Sequence, residues 1–232
     1  MGKKVAILQS NYIPWKGYFD LINTVDEFVL FDDTQYTKGD WRNRNIIKTK
    51  QGPQWLTIPV KQEKQSQLIN ETKISDTRWA RKHWTTLSQN YSKAKYFERY
   101  RDQLESLYLA LTNEYLSTIN HRLITEVNKI LSIGTRIRWS SEFDVLEGRT
   151  ERLLSICEQC GASEYFSGPA AQSYFDIELA KRSNIKVNWL NYEDYPEYDQ
   201  LHPPFDHRVS ILDLIFNEGP NAKKFMKSFD NE

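Results

Sequence analysis

Residues 5–22, VAILQSNYIPWKGYFDLI, decide the fold, and residues 26–48, DEFVLFDDTQYTKGDWRNRNIIK, extend the reading. Each holds a short apolar run, Val5-Ala6-Ile7-Leu8 and Phe28-Val29-Leu30-Phe31, that stops abruptly in polar and aromatic residues. Unbroken apolar runs of this length predict strands buried on both faces, as in a parallel sheet. Between them Pro14 and Gly17 shape a turn, and Tyr18 to Val25 reads as a helix. In open α/β sheets ligands bind just beyond the C-terminal ends of the strands. The first run carries Gln9, Ser10, Asn11 and Tyr12 to that edge, and the second carries Asp32 and Asp33.

Downstream, residues 46–50, the turn Gln51-Gly52-Pro53 and residues 54–60 predict a β-hairpin, and residues 61–67 a mobile polar loop. From Thr77 to Leu131 the pattern is helical, beginning with a helix capped by Asp76 or Thr77 and continuing over 95–111 and 112–131. Strand and helix then alternate again, with strands at 135–139 and 185–190 and helices at 149–160, 170–182 and 210–216. Tyr165-Phe166-Ser167-Gly168 reads as a strand-to-loop junction. The expected architecture is α/β, a mostly parallel Rossmann-like sheet with an inserted β-hairpin and a helical segment. Residues 1–76 and 133–232 form the expected core, and 77–132 a helical insertion packed on it.

Lysine plus arginine and aspartate plus glutamate both number 31, so the formal net charge is zero. That balance argues against a nucleic-acid polymer or an anionic membrane surface as partner. No apolar run approaches the ~20 residues needed to span a bilayer, and the N-terminus lacks a signal-peptide core, so a cytoplasmic location is expected. Cys157 and Cys160 form C-x-x-C, but at the end of a helical pattern, whereas a thioredoxin-type pair starts a helix. With no second pair to complete a zinc site, they read as reduced, partly buried cysteines, and no tightly bound metal is expected. A G-x-S-x-G elbow, a P-loop and a G-x-G-x-x-G fingerprint are all missing.

Several groupings carry chemistry. Ile13 to Phe19 is a strand-turn-helix junction of the kind that offers backbone amides to phosphate. It resembles the H-x-G-H segment of adenylyl-transferring α/β enzymes, with Trp15 and Tyr18 where the histidines fall. Neither aromatic replaces that charge, so the segment favours nucleotide binding over nucleotidyl transfer; the plainer reading is a turn set by Pro14, Trp15 and Gly17. Asp32 and Asp33 are adjacent in extended chain, so at most one of them faces the site; helix capping or turn formation is the rival reading. Trp41-Arg42-Asn43-Arg44-Asn45 with Lys48 pairs cationic forks with a stacking face, which suits a diphosphate-bearing small molecule; a solvated hairpin face is the alternative. His83 is the histidine best placed to act as a base, although lone helix histidines are more often structural. His121, His202 and His207 show no metal-ligand spacing. Ser140-Ser141 and Ser167-Gly168 each follow an extended run.

Taken in order, Gln9 to Asp20, Asp33-Thr34-Gln35-Tyr36, Trp41 to Arg44, Trp55 to Val60, Ser140-Ser141, Tyr165 to Gly168, Tyr198-Asp199-Gln200-Leu201 and Ser210 to Gly219 resemble the successive blocks of the WbqC-like family. The resemblance spans almost the whole chain. It implies association with bacterial O-antigen and surface-polysaccharide biosynthesis, and transfer of a glycyl or other acyl group to the amine of a nucleotide-linked amino sugar. It implies site residues at Gln9, Tyr12, Trp15, Gly17, Gln35, Tyr36, Trp41, Arg42, Arg44, Ser140, Ser141, Gly168 and Gln200. Acyl transfer requires a base and oxyanion donors, for which Asp33 or His83, and Ser167 with the Gly168 amide or Asn43, are the candidates. Arg42, Arg44 and Lys48 are expected on the diphosphate, and Trp15, Trp41 or Tyr12 on the base or sugar. A thioester of coenzyme A or of an acyl carrier protein is the expected acyl donor, and a homo-oligomer is left open. The alternatives are an ATP-dependent ligase or nucleotidyltransferase-like enzyme of the same pathway, and a non-catalytic sugar-nucleotide binding module.

Overall fold

The structure, a computed structural model, describes residues 2–229. In chain order the principal elements are β1 (Lys3–Leu8), α1 (Lys16–Thr24), β2 (Glu27–Leu30), β3 (Arg44–Thr49), β4 (Gly52–Thr57), β5 (Val60–Lys61) and β6 (Lys73–Ile74). The helices α2 (Trp79–Tyr91), α3 (Phe97–Leu109) and α4 (Leu116–Ile130) follow. The chain continues with β7 (Arg136–Trp139), α5 (Glu151–Gln159), β8 (Ala162–Ser167), α6 (Ile177–Arg182), β9 (Lys186–Trp189) and α7 (Ile211–Glu218).

Five strands form one parallel sheet in the order β7-β2-β1-β8-β9. By chain position these are the third, second, first, fourth and fifth strands of the sheet, the arrangement of a Rossmann-type half. The register sets Val5 beside Glu27 and Tyr165, and Ile7 beside Val29. Alternation then sorts the apolar runs onto two faces. Ala6, Phe28 and Leu30 pack with α1, α2, α3, α4 and α7 in one hydrophobic cluster. Val5, Ile7, Val29 and Phe31 pack with Leu153, Leu154 and Ile156 of α5 in a second. Burial on both sides is why β1 and β2 read as unbroken apolar runs; each such side chain stabilises by about 1.5–3 kcal/mol.

The remaining strands form β-hairpin β3–β4 and the short pair β5–β6. The hairpin turns at Lys50-Gln51, one residue earlier than its sequence suggests, because Gly52 adopts φ +108° and already pairs with Thr49. Residues 61–67 are tied down at one end. The Gln67 amide donates to the Lys61 carbonyl and to Thr72 Oγ1, both at 2.9 Å, and accepts from the Glu63 N–H. The helix expected over 170–182 is two pieces, a 3-10 turn (Pro169–Ser173) and α6. Asp176 starts the second piece by accepting from the Leu179 N–H at 2.9 Å, as an N-cap does.

Candidate functional site

The chain leaves β1 toward one face of the sheet, through α1, and leaves β8 toward the other, through α6. The neighbouring strand ends therefore part at a topological switch point, which opens a crevice. Here it is a cavity of about 450 Å³ whose lining includes Gln9 beyond β1, Ser167 and Gly168 at the end of β8, and three arginines, Arg42, Arg149 and Arg152. Arg152 stands in the first turn of α5, and Arg149 two residues ahead of that helix. That helix runs into β8 and so begins at the C-terminal edge of the sheet.

The electrostatics of the crevice are one-sided. Arg42 donates to Asn11 Oδ1 and stands 3.6 Å from Asp40. Arg149 and Arg152 are in no ion pair among the described residues. Arg152 lies over the Phe31 ring, 5.4 Å from its centroid, with its Nε buried and without a hydrogen-bond partner. A buried donor left unpaired costs about 1–3 kcal/mol, so this geometry favours an anion that can accept from it.

A second cavity, about 230 Å³, adjoins the first and is lined by Asn11, Pro14, Trp15, Trp41, Asn45 and Arg208. The Trp15 indole lies against Gly17, where a Cβ would stand 2.3 Å from the ring. The other side of Trp15 meets Tyr192 and Tyr195 edge-on, at 5.2 and 5.5 Å. Tyr192 also packs on Gly168, where a Cβ would stand 3.2 Å from it. Tyr192 thus touches a lining residue of each cavity, and the Asn11–Arg42 hydrogen bond joins a residue of one cavity to a residue of the other. Asn45 shapes the slot from beneath by donating to the carbonyls of Tyr12 and Ile13 at 3.0 and 2.9 Å. Ile13 sits at φ 36°, a strained conformation for a β-branched residue.

Asp32 and Asp33 take different partners. The Asp32 carboxylate turns toward α4, where it accepts from the Ser10 N–H at 2.7 Å and from the Ser117 hydroxyl. Burial pushes its pKa up, and the bonds from Ser10 and Ser117 oppose that shift. Asp33, in the bend beyond β2, accepts from Ser140 Oγ at 2.5 Å. Ser140 follows β7 and Gln9 follows β1, the strands on either side of β2 in the sheet.

Other expected site residues lie in the interior. His83 is 8% exposed, and its Nδ1 pairs with the Tyr12 hydroxyl at 2.8 Å, which also meets the Tyr108 hydroxyl at 3.0 Å. Burial lowers the His83 pKa to about 4, against a backbone hydrogen bond with Thr57. Asn43 is buried and donates to the Ile58 carbonyl at 2.8 Å, leaving its Oδ1 without a partner. Lys48 is buried on the Pro204 carbonyl, while Gln200 donates at 3.0 Å to Asp213, a carboxylate that also receives the Tyr91 and Tyr198 hydroxyls. Together with Lys16, which donates to the Pro196 carbonyl at 2.9 Å, these groups hold the loop that brings Arg208 to the aromatic slot. Tyr36 is buried, Gln35 donates to the Gln65 carbonyl at 2.8 Å, and Arg44 stacks on Trp55 at 4.1 Å. Both cysteines are buried, and burial raises their pKa, that of Cys160 to about 11.

The structure therefore gathers Gln9, Arg42, Ser167 and Gly168 in one cavity and Trp15 and Trp41 in the next, while Asp33 and Ser140 pair with each other outside both linings. Arg149, Arg152 and Arg208 were not among the expected site residues. The helical start at residue 149, directly upstream of a strand, was the available signal for the first two. Among the described residues no group of three or more His, Cys, Asp or Glu is placed to hold a metal ion, and no helix is long and apolar enough to cross a membrane.

The sequence model of the WbqC-like protein family matches residues 9–225. A protein of Mycobacterium tuberculosis (strain ATCC 25618 / H37Rv), described as uncharacterized protein Rv1507c, is 49% identical over 226 residues, which cover 97% of this chain and 98% of the relative. No solved structure matches.

Proposed function

The chain belongs to the WbqC-like protein family, and on that footing we propose that it is a cytoplasmic transferase that acylates the amine of a nucleotide-linked amino sugar in surface-polysaccharide assembly. One observation carries the binding half of this reading: a switch-point crevice with three arginines, of which Arg149 and Arg152 are in no ion pair among the described residues. Guanidinium forks match phosphate oxygens two at a time. A diphosphate held there leaves the adjoining slot for the nucleoside, with Trp41 as the stacking face, Trp15 as a fixed wall and Asn11 and Asn45 as edge contacts.

The chemistry follows from Asp33. The neutral amine attacks the thioester carbonyl, a C–N bond forms, and the C–S bond breaks to release a thiolate that takes a proton from solvent. Asp33 accepts the proton lost by the nitrogen, with its carboxylate oriented by the Ser140 hydroxyl. Ser167 and the Gly168 amide stabilise the tetrahedral oxyanion. His83 and Asn43 are buried and committed to interior partners, Tyr12 and the Ile58 carbonyl, so they support the fold in this scheme.

A thermal-shift panel of pyrophosphate, nucleoside diphosphates, nucleotide-linked amino sugars, coenzyme A thioesters and ATP with magnesium tests it. A ligand at a hundred times its Kd adds about 2.7 kcal/mol of stability. Stabilisation by amino-sugar nucleotides, with acyl transfer lost in Asp33→Asn, is the expected result. Stabilisation by ATP with magnesium alone would replace this reading with the ligase one, and tight binding without turnover with the binding-module one.

A further inference from the structure

Beyond the end of β7 lies a third recess of about 300 Å³, lined by Asn70, Tyr115, Ser117, Thr118, Trp139 and Ser141. None of these side chains is charged, which sets the recess apart from the arginine crevice. Asn70 Oδ1 is buried without a hydrogen-bond partner. Tyr115 is 38% exposed, and the half-buried Trp139 is fixed by stacking on His121 at 4.9 Å. An amide, hydroxyls and two aromatic rings thus surround one space.

That lining selects a ligand class. A charged group would meet no counter-charge, and a purely apolar group would leave Asn70, Thr118 and Ser141 without partners. A neutral polyhydroxylated ring satisfies both demands. Its C–H faces cover the aromatic rings, and its hydroxyls both donate and accept. The recess also adjoins the proposed base. Ser141 follows Ser140, which holds Asp33, and the Asn70 N–H donates to the Asp32 carbonyl at 2.9 Å. The recess thus approaches Asp33 through Ser141 and the Asp32 backbone.

We infer that this recess is a sugar subsite that binds a single neutral sugar ring through Asn70, Thr118 and Ser141. Its link to a diphosphate rests on the function proposed above, but its own lining carries the sugar assignment. The deciding experiment is saturation-transfer NMR of the intact protein with methyl glycosides of 2-acetamido-2-deoxyhexoses, with and without pyrophosphate. Transfer to the ring protons is expected, undiminished by pyrophosphate and retained in Arg152→Met. Affinity should fall roughly tenfold or more in Asn70→Ala, where a buried acceptor is lost. Ser141→Trp, at an exposed position that tolerates bulk, should also abolish it by filling the recess. Should Asn70→Ala fail to fold, Ser141→Trp carries the test alone. No transfer to the wild-type protein, transfer indifferent to the variants, or displacement by pyrophosphate would each overturn the inference. Glycoside binding in a protein that ignores pyrophosphate would instead sink the diphosphate reading and leave the sugar subsite standing.

Discussion

Replacing Arg152 by methionine should move ligand binding and stability in opposite directions. In the unliganded protein Arg152 has a buried Nε with no partner, and its guanidinium rests on Phe31. Methionine keeps most of the stem packing and removes a donor whose desolvation costs about 1–3 kcal/mol. The loss is the stacking on Phe31, about 0.5–1 kcal/mol. The difference lies between zero and about 2 kcal/mol of added stability. At about 2–4 °C per kcal/mol for a chain of this size, Tm should hold or rise by a few degrees. With an anion bound, the sign reverses. A hydrogen bond to a charged group is worth about 1.5–3 kcal/mol, so pyrophosphate affinity should drop roughly 10- to 150-fold. Differential scanning calorimetry of the free variant and titration calorimetry with pyrophosphate measure the two halves. A lowered Tm together with unchanged pyrophosphate affinity would show that Arg152 props up the α5–β2 contact, and the anion-site reasoning would fail.

Trp41→Ala, at a 41% exposed position, should weaken a nucleoside diphosphate by roughly 5- to 150-fold, the worth of one stacked base, while leaving pyrophosphate untouched; equal losses for both ligands in a titration would remove the stacking role. Asn45→Ala strips the donors from two carbonyls beside the strained Ile13 and should cost roughly 2–4 kcal/mol in urea unfolding; a cost below about 1 kcal/mol would mean the turn holds itself. His83, lowered to about 4 by burial against an unfolded value near 6.5, gives stability that is complete above pH 6.5 and lost as pH falls through 4. Burial raises Asp32 and Asp213, whose contributions instead fade as pH rises above the usual carboxylate range, so the difference between wild type and His83→Gln, about 3 kcal/mol at most between pH 7 and 4, isolates the histidine.

What was legible in the sequence is what short-range patterning encodes. The runs at 5–8 and 28–31 are apolar without alternation because both sheet faces are covered, and that made the parallel sheet readable. Lys48 and Gln200 show the limit of such reasoning. Lys48 looks like its exposed neighbour Lys50, and is buried because residues far along the chain, Tyr91 and Pro204, close over it. His83 is similar: its ring is matched to Tyr12, 71 residues away. A residue's type is written locally, but its environment is set by contacts that the local pattern does not contain.

Arg149 and Arg152 went unread for the same reason, since assigning them to the site requires knowing that β8 pairs with β1. The zero net charge misled further, because it averages over two edges of one sheet that treat charge differently. At the N-terminal edge the buried carboxylate of Glu27 is ringed by Lys3 at 2.6 Å, Arg138 at 3.5 Å and Arg136 at 3.6 Å. Three cations there enclose an anion supplied by the chain itself, and that edge is closed. At the C-terminal edge three arginines also converge, but Asp40 is the one carboxylate within ion-pair distance of them among the described residues, 3.6 Å from Arg42. Like charges brought together repel and lower the stability of the free protein. The fold thus neutralises one such cluster internally and leaves the other, at its switch point, with Asp40 alone, which is the contrast the anion-site proposal rests on.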